Sequence, residues 1–204
     1  MKLLISLILL TPTLGFAADT TTESVVINEN PMNFGAQVGL NITNASLGAK
    51  GTSLNRAGFQ LGALLEVPVT PGLLYLQPEL SFVQRGAENS AFGPQIKARL
   101  NYLEAGLLAK AKINMADVKP FAFAGPHFGY LLNASGEGGG TTLDRSQFRS
   151  ADLGFDIGGG VGIATGERSE VLVSARFTSS LLDAIPSDPE WRSEGFLVNI
   201  GYLF

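Results

Sequence analysis

Gly195 to Phe204, GFLVNIGYLF, ends the chain and carries its most telling pattern. In an extended strand successive side chains alternate between two faces. Phe196, Val198, Ile200, Tyr202 and Phe204 therefore share one face, and Gly195, Leu197, Asn199, Gly201 and Leu203 share the other. The first face is apolar and rich in aromatics; the second is mostly small or polar. Such an apolar face is unfavourable in water and suits lipid, with Phe196, Tyr202 and Phe204 as aromatics at the membrane interface. Its length also fits the roughly 9–11 residues that a tilted transmembrane strand needs.

The same period of two recurs upstream and predicts an all-β chain of eight strands. The seven others are Asn33–Ile42, Ala57–Pro68, Leu73–Gln84, about Leu100–Lys112, Pro120–Leu132, about Ala151–Ile163 and Glu170–Leu181. In the sixth, Leu153, Phe155, Ile157, Val161 and Ile163 alternate with Asp152, Gly154, Asp156, Gly158, Gly160 and Gly162. Long polar connections, Asn44–Arg56, Arg85–Ile96, Asn133–Ser150 and Leu182–Arg192, alternate with tight ones, Val69–Gly72, Ile113–Val118 and Ala164–Arg168. An antiparallel up-and-down barrel puts alternate connections on opposite rims, and transmembrane barrels pair short periplasmic turns with longer external loops. An even strand number leaves both ends of the barrel on the periplasmic side. Pro78 and Pro126 fall inside predicted strands, where each removes a ladder hydrogen bond, so a bulge or local break is expected at each.

The N-terminus reads as an export signal. Lys2 precedes the apolar stretch Leu3–Leu10, and small residues at Gly15 and Ala17 suit cleavage after Ala17, or after Ala18. The expected organisation is a signal peptide at 1–17, a flexible periplasmic segment at 18–32 and a barrel at 33–204. Losing Lys2 with the signal changes the net charge from -4 to -5. The scattered Lys and Arg form no basic patch, which argues against nucleic acid. With no cysteine there is neither a disulfide framework nor thiolate chemistry. Beyond the signal no apolar run reaches the roughly 18 residues of a spanning helix, yet mean hydropathy is positive. Apolar residues interleaved with polar ones are the weak per-segment signature of a transmembrane barrel.

Inward charged residues fall at similar heights: Glu79, Glu104, His127, Asp156 and Arg176 lie about seven to nine residues from their periplasmic turns. An eight-stranded barrel is just wide enough for side chains to fill. Three carboxylates in one layer need cations beside them, with Arg176 fixed, Lys110 as help and His127 as a possible second. This layer reads as a structural plug, and alternatively as a proton or ligand site. His127 is the single histidine, and no cysteine accompanies it, so no His-rich metal site is expected. An inward histidine flanked by Gly125 and Gly129 and without a serine in its strand argues against Ser–His–acid catalysis. Gly136–Gly140 and Gly158–Gly162 miss the spacing of a dinucleotide loop. No catalytic, metal or cofactor residue is assigned. The Leu182–Arg192 connection, with Asp183, Asp188, Glu190 and Trp191, is either a solvated loop or a binding surface whose ligand the sequence does not name.

Several stretches resemble the porin-family outer-membrane β-barrel proteins, the PorT-like group, related in shape to the small barrels of OmpA/OmpX type. They are Leu76–Gly86, Asn101–Lys110, Pro120–Leu132, Leu153–Ile163 and Asn199–Phe204. The resemblance covers nearly all of the chain beyond the signal. It implies insertion by the barrel-assembly machinery, with the C-terminal aromatic strand resembling the recognised signal, and it supplies no catalytic motif.

The reading is a monomeric, non-enzymatic outer-membrane barrel of a Gram-negative bacterium, surrounded by lipid. Its lumen is expected to be polar and plugged, its role structural or surface-binding through the external loops, and its permeability minor at most. The alternative is a secreted, soluble lipocalin-like barrel carrying a small apolar ligand. Which face is apolar separates them, because a soluble carrier needs charge outside and apolar residues within.

Overall fold

The computed structural model describes residues 32–47, 52–88, 96–138, 141–144, 149–166, 168–181 and 193–204. The expected signal peptide, the 18–32 segment apart from Met32, and the Leu182–Arg192 connection lie outside the described residues. The strands are β1 (Asn33–Leu47), β2 (Thr52–Thr70), β3 (Leu74–Glu88), β4 (Ile96–Lys112), β5 (Val118–Gly138), β6 (Thr141–Asp144), β7 (Ala151–Ala164), β8 (Glu170–Ser180) and β9 (Ser193–Leu203). Each pairs antiparallel with its sequence neighbour, except that β5 pairs with β7 along its lower length and with the short β6 at its outer end. β1 pairs with β9, and β4 with β5, so the sheet closes into an eight-stranded barrel with β6 as an outer appendage.

The period of two governs every strand. Phe34, Val38, Leu40 and Ile42 on β1 are exposed, and Gln37 and Asn41 between them are buried. On β9, Phe196, Val198, Ile200 and Tyr202, with Phe204 just beyond it, are exposed while Leu197, Asn199 and Leu203 are buried. Similar outward residues, among them Leu61, Leu80, Leu107, Phe128, Ile157 and Val173, come from each remaining barrel strand. A soluble protein seldom shows one apolar patch larger than about 300–600 Å². A belt around the whole circumference belongs in lipid, and the soluble carrier has its faces the wrong way round. From Phe196 to Phe204, eight residue-to-residue steps of ~3.3 Å each, tilted ~40°, cover about 20 Å of bilayer.

Strand bounds differ from the sequence expectation on one rim. The ladder of β1 and β2 continues to Leu47↔Thr52, that of β3 and β4 to Glu88↔Lys97, and that of β4 and β5 to Ile96↔Gly138. Much of what the pattern assigned to long connections is thus paired strand standing beyond the apolar belt. The opposite rim has tight turns. In the 70–73 turn the Leu73 N–H donates to the Thr70 carbonyl at 3.0 Å, with Gly72 at φ 75°. Pro71 and Gly72 suit the two central positions of a type II turn, the second of which requires positive φ.

The two prolines cause gaps without slippage. Pairing of β2 with β3 lapses between Leu64↔Glu79 and Val67↔Leu76, beside Pro78. Pairing of β4 with β5 lapses between Gly106↔His127 and Ala109↔Ala124, beside Pro126. In both places the register resumes unchanged, so these are local breaks. The register shifts lie elsewhere, at Pro68/Thr70 and at Asn101/Tyr102, where Leu132 is the extra residue opposite.

Candidate functional site

Inward side chains line the lumen in tiers. Nearest the tight turns, Glu66 accepts from both Lys110 and Lys112, the latter at 2.9 Å. Lys112 also donates to Glu170 at 3.1 Å, as does Lys119. Lys110 lies 3.9 Å from the centroid of the Phe121 ring, close enough for a cation–π contact. Leu64, Leu108, Phe121, Phe123, Leu172 and Leu203 form an apolar cluster against these stems.

The middle tier holds all five residues singled out by inward phase. Glu79, Glu104, His127, Asp156 and Arg176 line one small cavity, completed by Gln60, Ser81 and Gly106. Arg176 Nη2 donates to both oxygens of Glu79 at 2.9 Å, and its Nη1 donates to Asp156 Oδ2 at 3.2 Å. His127 Nδ1 lies 3.1 Å from Asp156 Oδ1. Gln77 donates to Glu79 at 2.5 Å. Glu104 is not held by Arg176. It pairs with Arg85 at 2.6 Å, and Arg85 also reaches Asp152 at 2.9 Å. Ser180 donates to Asp152 at 2.9 Å, and His127 Nε2 stands 3.8 Å from the same carboxylate. Above, Leu100, Tyr102, Leu131 and Ala134 make a second apolar cluster.

Arg85, Lys112 and Glu170 thus belong to the lumen network without having been picked out from sequence, while Glu66 and Asp152 had the expected inward phase but were not placed in the charged layer. Asp152 shares inward phase with Asp156, and Arg85 shares it with Glu79 and Ser81, so the phase signal was present. Arg85 went unrecognised because the apolar half of β3 ends near Phe82, before the strand does. Phe196, Tyr202 and Phe204 all face outward, with Phe196 toward one rim and the Tyr202–Phe204 ring pair, 5.2 Å between centroids, at the other.

Chemically the tier offers a network of ion pairs with one imidazole among them. Breaking one partner of a buried pair strands a charge, at a cost of about 3–5 kcal/mol. Nδ1 and Nε2 of His127 both face carboxylates, and Ser81 Oγ accepts from Gln60 at 3.0 Å; among the described residues no serine is hydrogen-bonded to the imidazole. Among the described residues no group of three or more His, Asp or Glu is arranged to hold a metal ion.

One seam of the wall uses side chains in place of ladder bonds. Among the described residues, eight register pairs join β2 to β3, against fifteen between β1 and β2. Beyond Gln60↔Val83, Asn41 of β1 donates to the Gln84 carbonyl at 2.9 Å, reaching past Gly58 of β2. Thr43 Oγ1 donates to the Gly86 carbonyl at 3.0 Å and accepts from the Gly86 N–H at 3.3 Å.

A family model described as "Outer membrane protein beta-barrel domain" matches residues 16–185. Among solved structures, Neisserial surface protein A is similar over 82% of this chain and 95% of its own, at 16% identity and a TM-score of 0.51. The outer membrane protein OprG from Pseudomonas aeruginosa is similar over 84% of this chain and 95% of its own, at 12% identity and a TM-score of 0.51. Ail, the attachment invasion locus protein of Yersinia pestis, is similar over 85% of this chain and 99% of its own, at 16% identity and a TM-score of 0.48. Identities this low speak to the fold alone. No curated protein matches the chain.

Proposed function

The chain belongs to the outer membrane protein β-barrel domain family, and from that membership we propose a small barrel with a plugged lumen and a structural or surface-binding role. The observation that carries the plug is the cross-lumen bridge in which Arg176 of β8 holds Glu79 of β3 and Asp156 of β7. Pores with aqueous channels use about 16–18 strands, whereas eight leave room for little beyond side chains. Two apolar clusters and the Lys–Glu tier support the same reading. A surface role is supported by the paired strands of β1 to β6 that stand beyond the apolar belt, since exposed segments on a rigid scaffold are where binding is usually placed. The molecule works as a monomer without catalysis, its only histidine committed to carboxylates. It is exported by a signal cleaved after Ala17 and inserted by the barrel-assembly machinery through the C-terminal strand.

Reconstitution of the purified barrel in planar bilayers and liposomes tests the plug. The expected result is no large, stable conductance and no sugar uptake. Steady single-channel currents from the wild type overturn it.

A further inference from the structure

The two Arg-centred groups of the middle tier are joined at one residue. Arg176, Glu79 and Asp156 form one group, and Arg85, Glu104, Asp152 and Ser180 the other. His127 lies between them. Its register partner on β7 is Gly154, midway between Asp152 and Asp156, and a Cβ on Gly154 would stand 2.4 Å from the imidazole. The ring therefore rests on bare backbone, with Nδ1 3.1 Å from Asp156 and Nε2 3.8 Å from Asp152.

An imidazolium has two N–H donors; a neutral imidazole has one donor and one acceptor. Only the charged ring can therefore present an N–H to both carboxylates, in a hydrogen bond to Asp156 and a longer ion-pair contact with Asp152. The neutral ring turns a lone pair toward one of them, and that contact becomes repulsive. The groups facing the ring are Glu104 from β4, Asp152 and Asp156 from β7, Arg85 and Glu79 from β3, and Arg176 from β8. Four carboxylates meet two guanidiniums there, so carboxylates outnumber the fixed cations around the ring.

We propose that His127 is a proton-operated latch that ties the Arg85 and Arg176 groups into one plug, and that losing its proton uncouples them. The proposal rests on the plugged-lumen reading for its consequence, a small-ion leak that rises as the latch opens. The imidazole itself is observable whether or not the barrel conducts.

Because the chain has a single histidine, 15N-histidine labelling gives one imidazole to follow. In the folded, full-length barrel in nanodiscs, both ring nitrogens are expected to carry protons at low pH. As pH rises one proton is lost, and the Arg85 and Arg176 side-chain N–H signals move in the same step. His127→Gln is expected to abolish that step in the arginine signals. Asp152→Asn, a second variant should the first not fold, is expected to leave the imidazole titrating while Arg85 no longer follows. Arginine signals indifferent to the imidazole, their step persisting in H127Q, or an imidazole that stays singly protonated overturns the latch. A large conductance at every pH instead overturns the plug and leaves the coupling between signals to be read on its own.

Discussion

At the residue scale, Arg176 bears the most consequence. Both of its terminal nitrogens are engaged and it is 6% exposed, so Arg176→Ala leaves Glu79 and Asp156 facing each other across the lumen. The expected loss is about 3–5 kcal/mol, measured by denaturant unfolding in lipid vesicles. Truncating the exposed Glu194 to Ala in the same assay should change stability by less than about 0.5 kcal/mol. Gly160 gives a second contrast. A Cβ there would lie 2.1 Å from the backbone oxygen of Val173, whereas one on Gly166 would meet nothing closer than 3.7 Å. Gly160→Ala should therefore lower the unfolding midpoint and Gly166→Ala should leave it in place. The five mid-lumen residues were legible because inward phase is a local property of each strand. Arg176 was expected beside Glu79, Glu104 or Asp156 and holds the first and the last of these; the partner of Glu104 was not legible. Whether Glu104 meets Arg176 or Arg85 depends on the stagger between strands, and no single strand's pattern records that stagger.

At the scale of elements, the period of two identified which side of each strand meets lipid but not where the strand ends. On β2 the outward positions Phe59, Leu61 and Ala63 are apolar, and above Ala57 the alternation fades although pairing runs on to Thr52. Hydrophobic alternation reports the bilayer, and backbone pairing outlasts it wherever hairpins rise into water. The β2–β3 seam depends on Thr43, which completes one backbone donor and one acceptor of Gly86. Thr43→Val keeps the shape and removes the hydroxyl, leaving two buried backbone groups short of a partner. The expected cost is about 1–3 kcal/mol, with faster amide exchange at Gly86 and no change at the β1–β9 seam.

For the whole molecule, the apolar belt sets the energetic terms. Arg introduced at Leu107 or Ile200, near mid-height, should cost about 2–4 kcal/mol, and Arg at Phe204 by the rim about 0–1 kcal/mol. Unfolding in vesicles measures both, and equal cost at every height would show that no bilayer surrounds the belt.

The cross-lumen bridges have a further consequence, for the order in which the barrel forms. Arg176 and Glu79 are 97 residues apart, Arg85 and Asp152 are 67 apart, and Lys112 and Glu170 are 58 apart. Contacts this distant return no free energy until the intervening chain has been brought together, and a topology made of them folds slowly. A half-curled sheet would hold these charges apart and hydrated, with every ladder bond of its finished hairpins already made. Closure of β1 on β9 is then the event that expels water and lets the charges find one another. Substitutions in the bridges should accordingly speed unfolding and leave the rate of insertion nearly unchanged.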